Sequence, residues 1–401
     1  MKRKTFLSGS VFVIGVSCWA ARPSAAEVSG ATSQLRPFRV RIFAGYDLRS
    51  ITIAGSALRV RVAHAQYSGQ MLSVNAGSNS AMLDEQSLPF DQDFSVIGAD
   101  GSLTISAATL NGNPIVRRYA GELQILSSHG ALSVINTVPV ESYVASTLAS
   151  EASPSWSSEA LRAQAIAVRS FAVHAASAKS ARSFDLTDDT SSQVYRGADS
   201  VTPVFSHAAS STQNQIVTWQ GETAAVFYSA TCGGHTASLT ELNGEKSLAY
   251  LGGVADAEPG GRPYCAPAPY FRWRNSLSAD SLARALDVSP GTLADCSVSE
   301  RWPDGRVRTL RVVQNGAPEL TISGRTFYTR SLQSLGYKVV PSTMFDIQRD
   351  GAEFIISGHG IGHGVGLCQW GARGRADAGH KAAEILQAYF PGTAVTALTA
   401  H

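Results

Sequence analysis

The stretch that decides the fold reads VPVESYVASTLASEASPSWSSEALRAQAIAVRSFAV, residues 138–173. From Val140 to Glu151, the residues Tyr143, Val144, Thr147 and Leu148 recur at helical spacing, so one side of this helix faces a core. Glu151 continues that stripe, which turns its carboxylate toward the apolar side. Pro154 then stops the helix. A second, Ala-rich helix is expected over 158–178, with Leu161, Ala165, Val168, Phe171 and Ala172 as its core stripe.

Outward from this pair the pattern is strand-like on both sides. Residues 37–72 alternate in short runs such as Phe38–Phe43 and Leu58–Val62, and further strands are expected at 102–107, 115–118, 122–126 and 131–135. The stretch 73–101 is rich in Ser, Asn and Asp and reads as loop. Residues 204–356 return to strands with one short helix at 278–286, and a last helix at 380–389 ends before Pro391-Gly392. Strands, two central helices, strands again and a C-terminal helix predict an α+β, β-rich fold rather than alternating α/β. The expected division is a leader over 1–26, an N-terminal β-rich region over 27–110, a helix-containing lobe over 111–240, and a C-terminal β-rich lobe over 241–401.

Composition sets the limits within which this fold works. The 401 residues are 44% apolar and 16% charged, enough for a large core and unlike a disordered chain. Lys and Arg number 33 against 31 Asp and Glu, a formal net charge of +2. So small a balance argues against nucleic acid as the partner. A coiled coil, a fibre and a membrane bundle are excluded with it. Lys2, Arg3 and Lys4, the apolar run Phe6–Ala21 and the small residues Ser24-Ala25-Ala26 read as a secretory signal cleaved after Ala26, which predicts export and no integral membrane span after cleavage. An uncleaved anchor and a lipid on Cys18 are the alternatives, the second weakened because Gly15-Val16-Ser17 lacks a Leu. Removing Cys18 leaves Cys232, Cys265, Cys296 and Cys368. In an exported chain these read as disulfides, and of three connectivities the pairs Cys232–Cys265 and Cys296–Cys368 are expected. With wide cysteine spacings and no CxxC or HxxC cluster, a Cys-rich zinc site is not expected.

Three clusters could carry chemistry. Glu151, beside Leu148 and near Trp156, is either a desolvated acid or a solvent-facing helix end. Asp185, Asp188 and Asp189 form an acidic loop that also reads as an ordinary capped turn. The strip Gly358-His359-Gly360-Ile361-Gly362-His363-Gly364-Val365-Gly366 has glycine at every other position. If extended, it presents His359, Ile361, His363 and Val365 on one face and bare backbone on the other. A metal site through the two histidines, a polar wall of an active site and plain packing all remain open. The turn Cys232-Gly233-Gly234 is a weak signal, and no GxSxG, Walker or GxGxxG motif is present.

In order along the chain, the segments 138–173, FDLTDDTSSQVYRG (184–197), FYSATCGGHTA (227–237), GHGIGHGVGLCQWGA (358–372) and EILQAYFPGT (384–393) resemble the stage II sporulation protein D family, which includes amidase-enhancer domains. The resemblance covers roughly 38–395. It implies a peptidoglycan lytic transglycosylase acting on glycan strands free of stem peptides, in the periplasm, cell wall or outside the cell. Glu151 matches the family's catalytic acid. By the same match, Gln193, Tyr195 and His363 become candidates to stabilise the developing positive charge, and His359, Gln369 and Arg169 candidates to hold substrate; Gln164 and Arg169 could equally serve to orient their helix. A non-catalytic glycan-binding enhancer of a cell-wall amidase shares the same motifs. Some members hold zinc through a Cys followed by His-Cys; Thr187 and Ser191-Ser192 stand there instead, so the resemblance implies no metal and no cofactor. Ile361 and His359 also depart from the usual Trp and Arg, which bears on substrate recognition.

Overall fold

The computed structural model describes residues 35–78, 80–90, 94–108, 114–177, 183–244 and 248–398. The expected leader and Cys18 lie outside them. Along the chain come β1 (Phe38–Ile42), β2 (Ser50–Val62), β3 (Ala65–Asn75), β4 (Ser80–Leu83), β5 (Gln86–Leu88), β6 (Ser95–Ala108), β7 (Ile115–Ser128) and β8 (Ala131–Val138). Then follow α1 (Val140–Glu151), α2 (Ser158–Ser177), β9 (Leu186–Thr187), α3 (Pro203–Ser210), β10 (Gln215–Trp219), β11 (Glu222–Thr223), β12 (Tyr228–Ser229) and α4 (Leu239–Asn243). The remainder is β13 (Arg272–Ser278), α5 (Ala279–Leu286), β14 (Leu293–Arg301), β15 (Val307–Gln314), β16 (Leu320–Ser323), α6 (Gly324–Leu335), β17 (Phe345–Asp350), β18 (Glu353–His359), β19 (Leu367–Cys368), α7 (Gln369–Asp377), α8 (Ala382–Tyr389) and β20 (Ala394–Ala397). The fold is mixed α+β and strand-rich. None of the described helices is long and apolar enough to cross a membrane.

One nine-stranded sheet, in the order β5-β4-β3-β2-β6-β7-β8-β1-β9, organises the first half. Its strands alternate buried and open residues, as in β1 and β7, because one face lines an apolar core while the other meets water. The expected boundary at 110 falls between β6 and β7, which pair antiparallel over most of their length. The stretch 73–101 expected to be loop contributes the end of β3, all of β4 and β5 and the first half of β6, whose polar outward residues hid the alternation.

α2 is the central helix. Instead of a single core stripe, it buries most of its circumference against α1, α3, β10, α7 and α8. Its alanines make this possible, because a methyl side chain lets five elements approach one axis. Ser170 is equally enclosed: its Oγ donates to Ile166 O at 2.6 Å and accepts from Val217 N at 2.8 Å, which ties β10 to the helix.

Among the described residues there are two separate apolar cores. The first joins the large sheet to α1, α2, α3, α7 and α8; the second is confined to 273–356. The second core is an excursion whose first and last strands, β13 and β18, pair antiparallel with Arg272 opposite His359. The chain therefore leaves and re-enters the first core at adjacent points. α3, α4, α6 and α7 were not expected. α6 is polar, yet its cap was readable: Ser323 Oγ accepts from Thr326 N at 3.0 Å. α7 contains Gly371 and Gly374, poor helix formers kept because a Cβ at 371 would collide with Asp256 and Tyr389, and one at 374 with Tyr264.

The glycine strip is not an extended strand. β18 ends at His359, and Gly360, Gly362, Gly364 and Gly366 all have positive φ, from 74° to 100°. Left-handed backbone at every second residue explains the glycine period better than a bare sheet face does. Close approach is real nonetheless: a Cβ at Gly360 or Gly366 would press on the backbone of Thr231 or Phe227.

Candidate active site

Glu151 is the last residue of α1, followed by extended Ala152. The residue is part-exposed, but its carboxyl lies against protein on most sides, and burial pushes its pKa up to about 7. The side chain of Gln369 and the backbone N–H of Val194 face the carboxyl and oppose that rise. No cation assists them, so the shift is one of desolvation. A carboxyl half protonated near neutrality can both give and take a proton.

Polar groups beside it are incompletely satisfied. Gln369 Nε2 is buried and makes no hydrogen bond of ordinary geometry, and neither does Thr147 Oγ1, one helical turn before Glu151. Gln369 opens α7, whose N-terminus is capped by Cys368 through Gly371 N at 3.3 Å. Trp370 follows and packs edge-on against Trp156, centroids 5.8 Å apart, with Arg373 stacked on it at 4.8 Å. Trp370 was not singled out from the sequence, although its place beside Gln369 in the 358–372 segment was a usable signal.

Other candidates lie deeper. Gln193 is buried: its Oε1 accepts from Tyr143 Oη at 2.9 Å and its Nε2 donates to Tyr228 Oη at 2.9 Å. Tyr195 is also buried, donates to Asn136 Oδ1 at 2.7 Å and stacks on Tyr143. These groups sit beneath α1 around Tyr143 instead of facing solvent. His363 is enclosed too. Val365 N donates to its Nδ1 at 3.1 Å, which assigns the ring proton to Nε2, donating to Tyr228 O at 2.9 Å. Burial drives its pKa down to about 3, so the ring is neutral and both nitrogens are engaged. His359 is half-buried, stacked on Phe271 at 5.6 Å, with its pKa lowered by burial and then by Arg272. The two histidines do not join any metal-ligating group among the described residues.

Arg169 is fully buried in α2. It pairs with Glu141 and donates to Gln215 O at 3.1 Å and Ala209 O at 3.0 Å, tying α1, α2, α3 and β10 together. A cavity of about 240 Å³ lies at this end of α1, lined by Glu141, Tyr195 and Gly197 among others. It is some ~15 Å of helix from Glu151 and does not include it. The acidic loop is structural: Asp185 accepts from Arg36 and Arg39, and Asp188 from Arg117 and the backbone N–H groups of Phe43 and Ala44.

The cysteines correct an expectation. All four described ones are free thiols, and Cys296 sits in the second core while Cys368 sits in the first, so they cannot pair. Cys232 and Cys265 are neighbours, Sγ to Sγ 3.7 Å, and Cys368 joins them with Asp256. Wide spacing in the sequence thus did not prevent a Cys-rich cluster.

Comparison with known proteins places the chain. Residues 128–219 match the family described as stage II sporulation protein, and residues 265–366, which enclose the second core, match a domain of unknown function. An uncharacterized protein of Brachyspira hyodysenteriae is 34% identical over 288 residues, 71% of this chain and 73% of that protein. The stage II sporulation protein D of Bacillus subtilis is 28% identical over 279 residues, 65% of this chain and 76% of that protein. The amidase enhancer of the same organism is 26% identical over 290 residues, which is 38% of its length.

Proposed function

Because this chain belongs to the stage II sporulation protein D family, we propose that it is exported and acts on the cell wall as a lytic transglycosylase on peptide-free glycan strands. The observation that carries this reading is the Glu151 carboxyl, held by burial at a pKa near 7 at the end of α1. Protonated Glu151 gives its proton to the glycosidic oxygen as the bond from C1 of N-acetylmuramic acid breaks. The carboxylate then takes the proton of that sugar's C6 hydroxyl while its oxygen bonds C1, leaving a 1,6-anhydro end. One proton leaves and one returns, and no water is consumed, so a second carboxylate is not needed.

The strand passes the C-terminal end of α1, in a groove between the helix-containing lobe and the β-rich surroundings. Gln369 bonds and orients the carboxyl and meets the sugar; Trp370, next in the chain, offers a partly open ring beside it, and the half-buried His359 a further ring for the strand. Gln193 holds Tyr143 and Tyr228, and His363 the Tyr228 carbonyl, behind Glu151; Tyr195 stacks on Tyr143, and Arg169 fixes the opposite end of α1 through Glu141, so all four act on the sugar through position. Near-neutral net charge suits a polymer recognised by shape and hydrogen bonds.

Incubation with peptide-free strands releases anhydro-ended saccharides, one water lighter by mass than hydrolysis products. Glu151→Gln abolishes that release, and a fully active Gln variant overturns the assignment. The likeness to an amidase enhancer favours a second reading, a glycan binder that stimulates a cell-wall amidase. Strand binding and amidase stimulation without cleavage decide for it.

A further inference from the structure

We propose that Cys232, Cys265, Cys368 and Asp256 form a closed site for a structural divalent cation of the zinc class, bound by three thiolates and one carboxylate oxygen. The four ligand atoms lie within 4.8 Å of one another, although they come from three chain segments. Cys232 follows β12, Asp256 and Cys265 lie in the loops between α4 and β13, and Cys368 ends β19.

The separations decide between chemistries. Cys232 Sγ is 3.7 Å from Cys265 Sγ and 3.4 Å from Asp256 Oδ2. Zn–S bonds of ~2.3 Å and Zn–O bonds of ~2.0–2.2 Å in a tetrahedron put two sulfurs about 3.8 Å apart and sulfur and oxygen about 3.5 Å apart. A disulfide needs about 2.05 Å and uses two thiols, which strands the third beside a carboxylate. All four residues are 0% exposed, so a bound ion meets no solvent, as structural rather than catalytic sites require.

The groups around the ligands are built for anions. Gly371 N and Cys232 N donate to Cys368 Sγ at 3.3 and 3.2 Å, and Gly234 N to Cys232 Sγ at 3.4 Å. Asp256 Oδ1 accepts from Tyr389 Oη at 2.7 Å and Arg375 Nε at 3.2 Å, which fixes Oδ2 toward the thiols. Such outer contacts orient metal ligands. Gly371 leaves room for that carboxylate, since a Cβ would overlap it.

Cys368 caps α7, and the next residue, Gln369, faces Glu151. The cation therefore anchors the helix that positions the acid without touching the reacting atoms.

The test is metal analysis of the full chain purified under reducing conditions with zinc supplied. One ion per chain is expected. Cobalt substitution gives the thiolate-to-cobalt charge-transfer band and the intense visible bands of a tetrahedral centre. Cys265→Ser loses the ion, Tyr389→Phe binds it roughly 10–100-fold more weakly, and Cys296→Ser keeps it. Circular dichroism checks that the variants fold; the wild-type metal count and cobalt spectrum stand even where Cys265→Ser does not. A metal-free folded chain overturns the proposal, as does a chain two hydrogens lighter carrying a Cys232–Cys265 disulfide. These readouts do not depend on glycan cleavage.

Discussion

Glu151 and Asp185 are both carboxyls withdrawn from water, and they end at opposite extremes. Glu151 has a neutral amide and one backbone N–H against its burial, and its pKa rises to about 7. At Asp185 burial would also raise the pKa, but Arg36 and Arg39 overcome it and hold the group down to about 2. The absence of a cation, more than the presence of any special residue, separates an acid that can give its proton at neutral pH from a charge that holds two segments together.

The sharpest way to break this contrast is Glu151→Gln. Loss of the general acid lowers glycan cleavage by roughly 10²–10⁴-fold, read as anhydro-ended product per unit time. The same variant stabilises the fold at high pH. Protonation is favoured in the folded state, so the wild-type group's contribution is full below its unfolded pKa near 4.5 and is lost as pH rises through about 7. Urea melts at pH 8 should show a gain of up to roughly 3 kcal/mol for the Gln variant, and none at pH 4.

Asp188→Ala tests the other side. It leaves Arg117 buried without its partner and two backbone N–H groups unpaired, a cost of about 3–5 kcal/mol in denaturant melts. Cleavage per folded molecule stays unchanged. The pH profiles should diverge next. With protonated Glu151 as the acid, kcat/KM is flat below pH 7 and falls above it. The stability due to Asp185, a lowered carboxyl, is present above about 3.8 and is lost as pH falls through about 2, which acid melts of Asp185→Asn against wild type will show. The smallest effect is that of Gln369→Ala. Gln369 favours the charged form of Glu151, so its removal moves the falling limb of kcat/KM to higher pH.

α1, α2 and the inward turn of Glu151 were legible because long helical periodicity survives in any surroundings. What the acid faces was not, because Gln369 comes from a helix whose two glycines disguise it. Gln193, Tyr195 and Arg169 stood in the right segments, but a motif cannot tell which side of a wall a side chain takes, and these three point into the core. The glycine period of 358–366 was visible and its physical cause was different: left-handed backbone at alternate residues, with close packing against 227–231. The Cys–Asp cluster escaped because three separated segments meet only in the folded chain. The excursion was hidden because its strands alternate like those of the first core.

Arg306 belongs to the excursion yet donates to Cys232 O at 2.8 Å and His235 O at 3.1 Å in the first core, through the space left by the missing side chain of Gly364. It works as a bolt between two bodies joined at one hinge. Splicing 272–359 out with a short turn would preserve every strand pairing of the large sheet, and would leave the carbonyls of Cys232 and His235 facing an empty slot. Melting should accordingly couple the two cores into a single transition in the whole chain, and Arg306→Ala should split it into two in calorimetry.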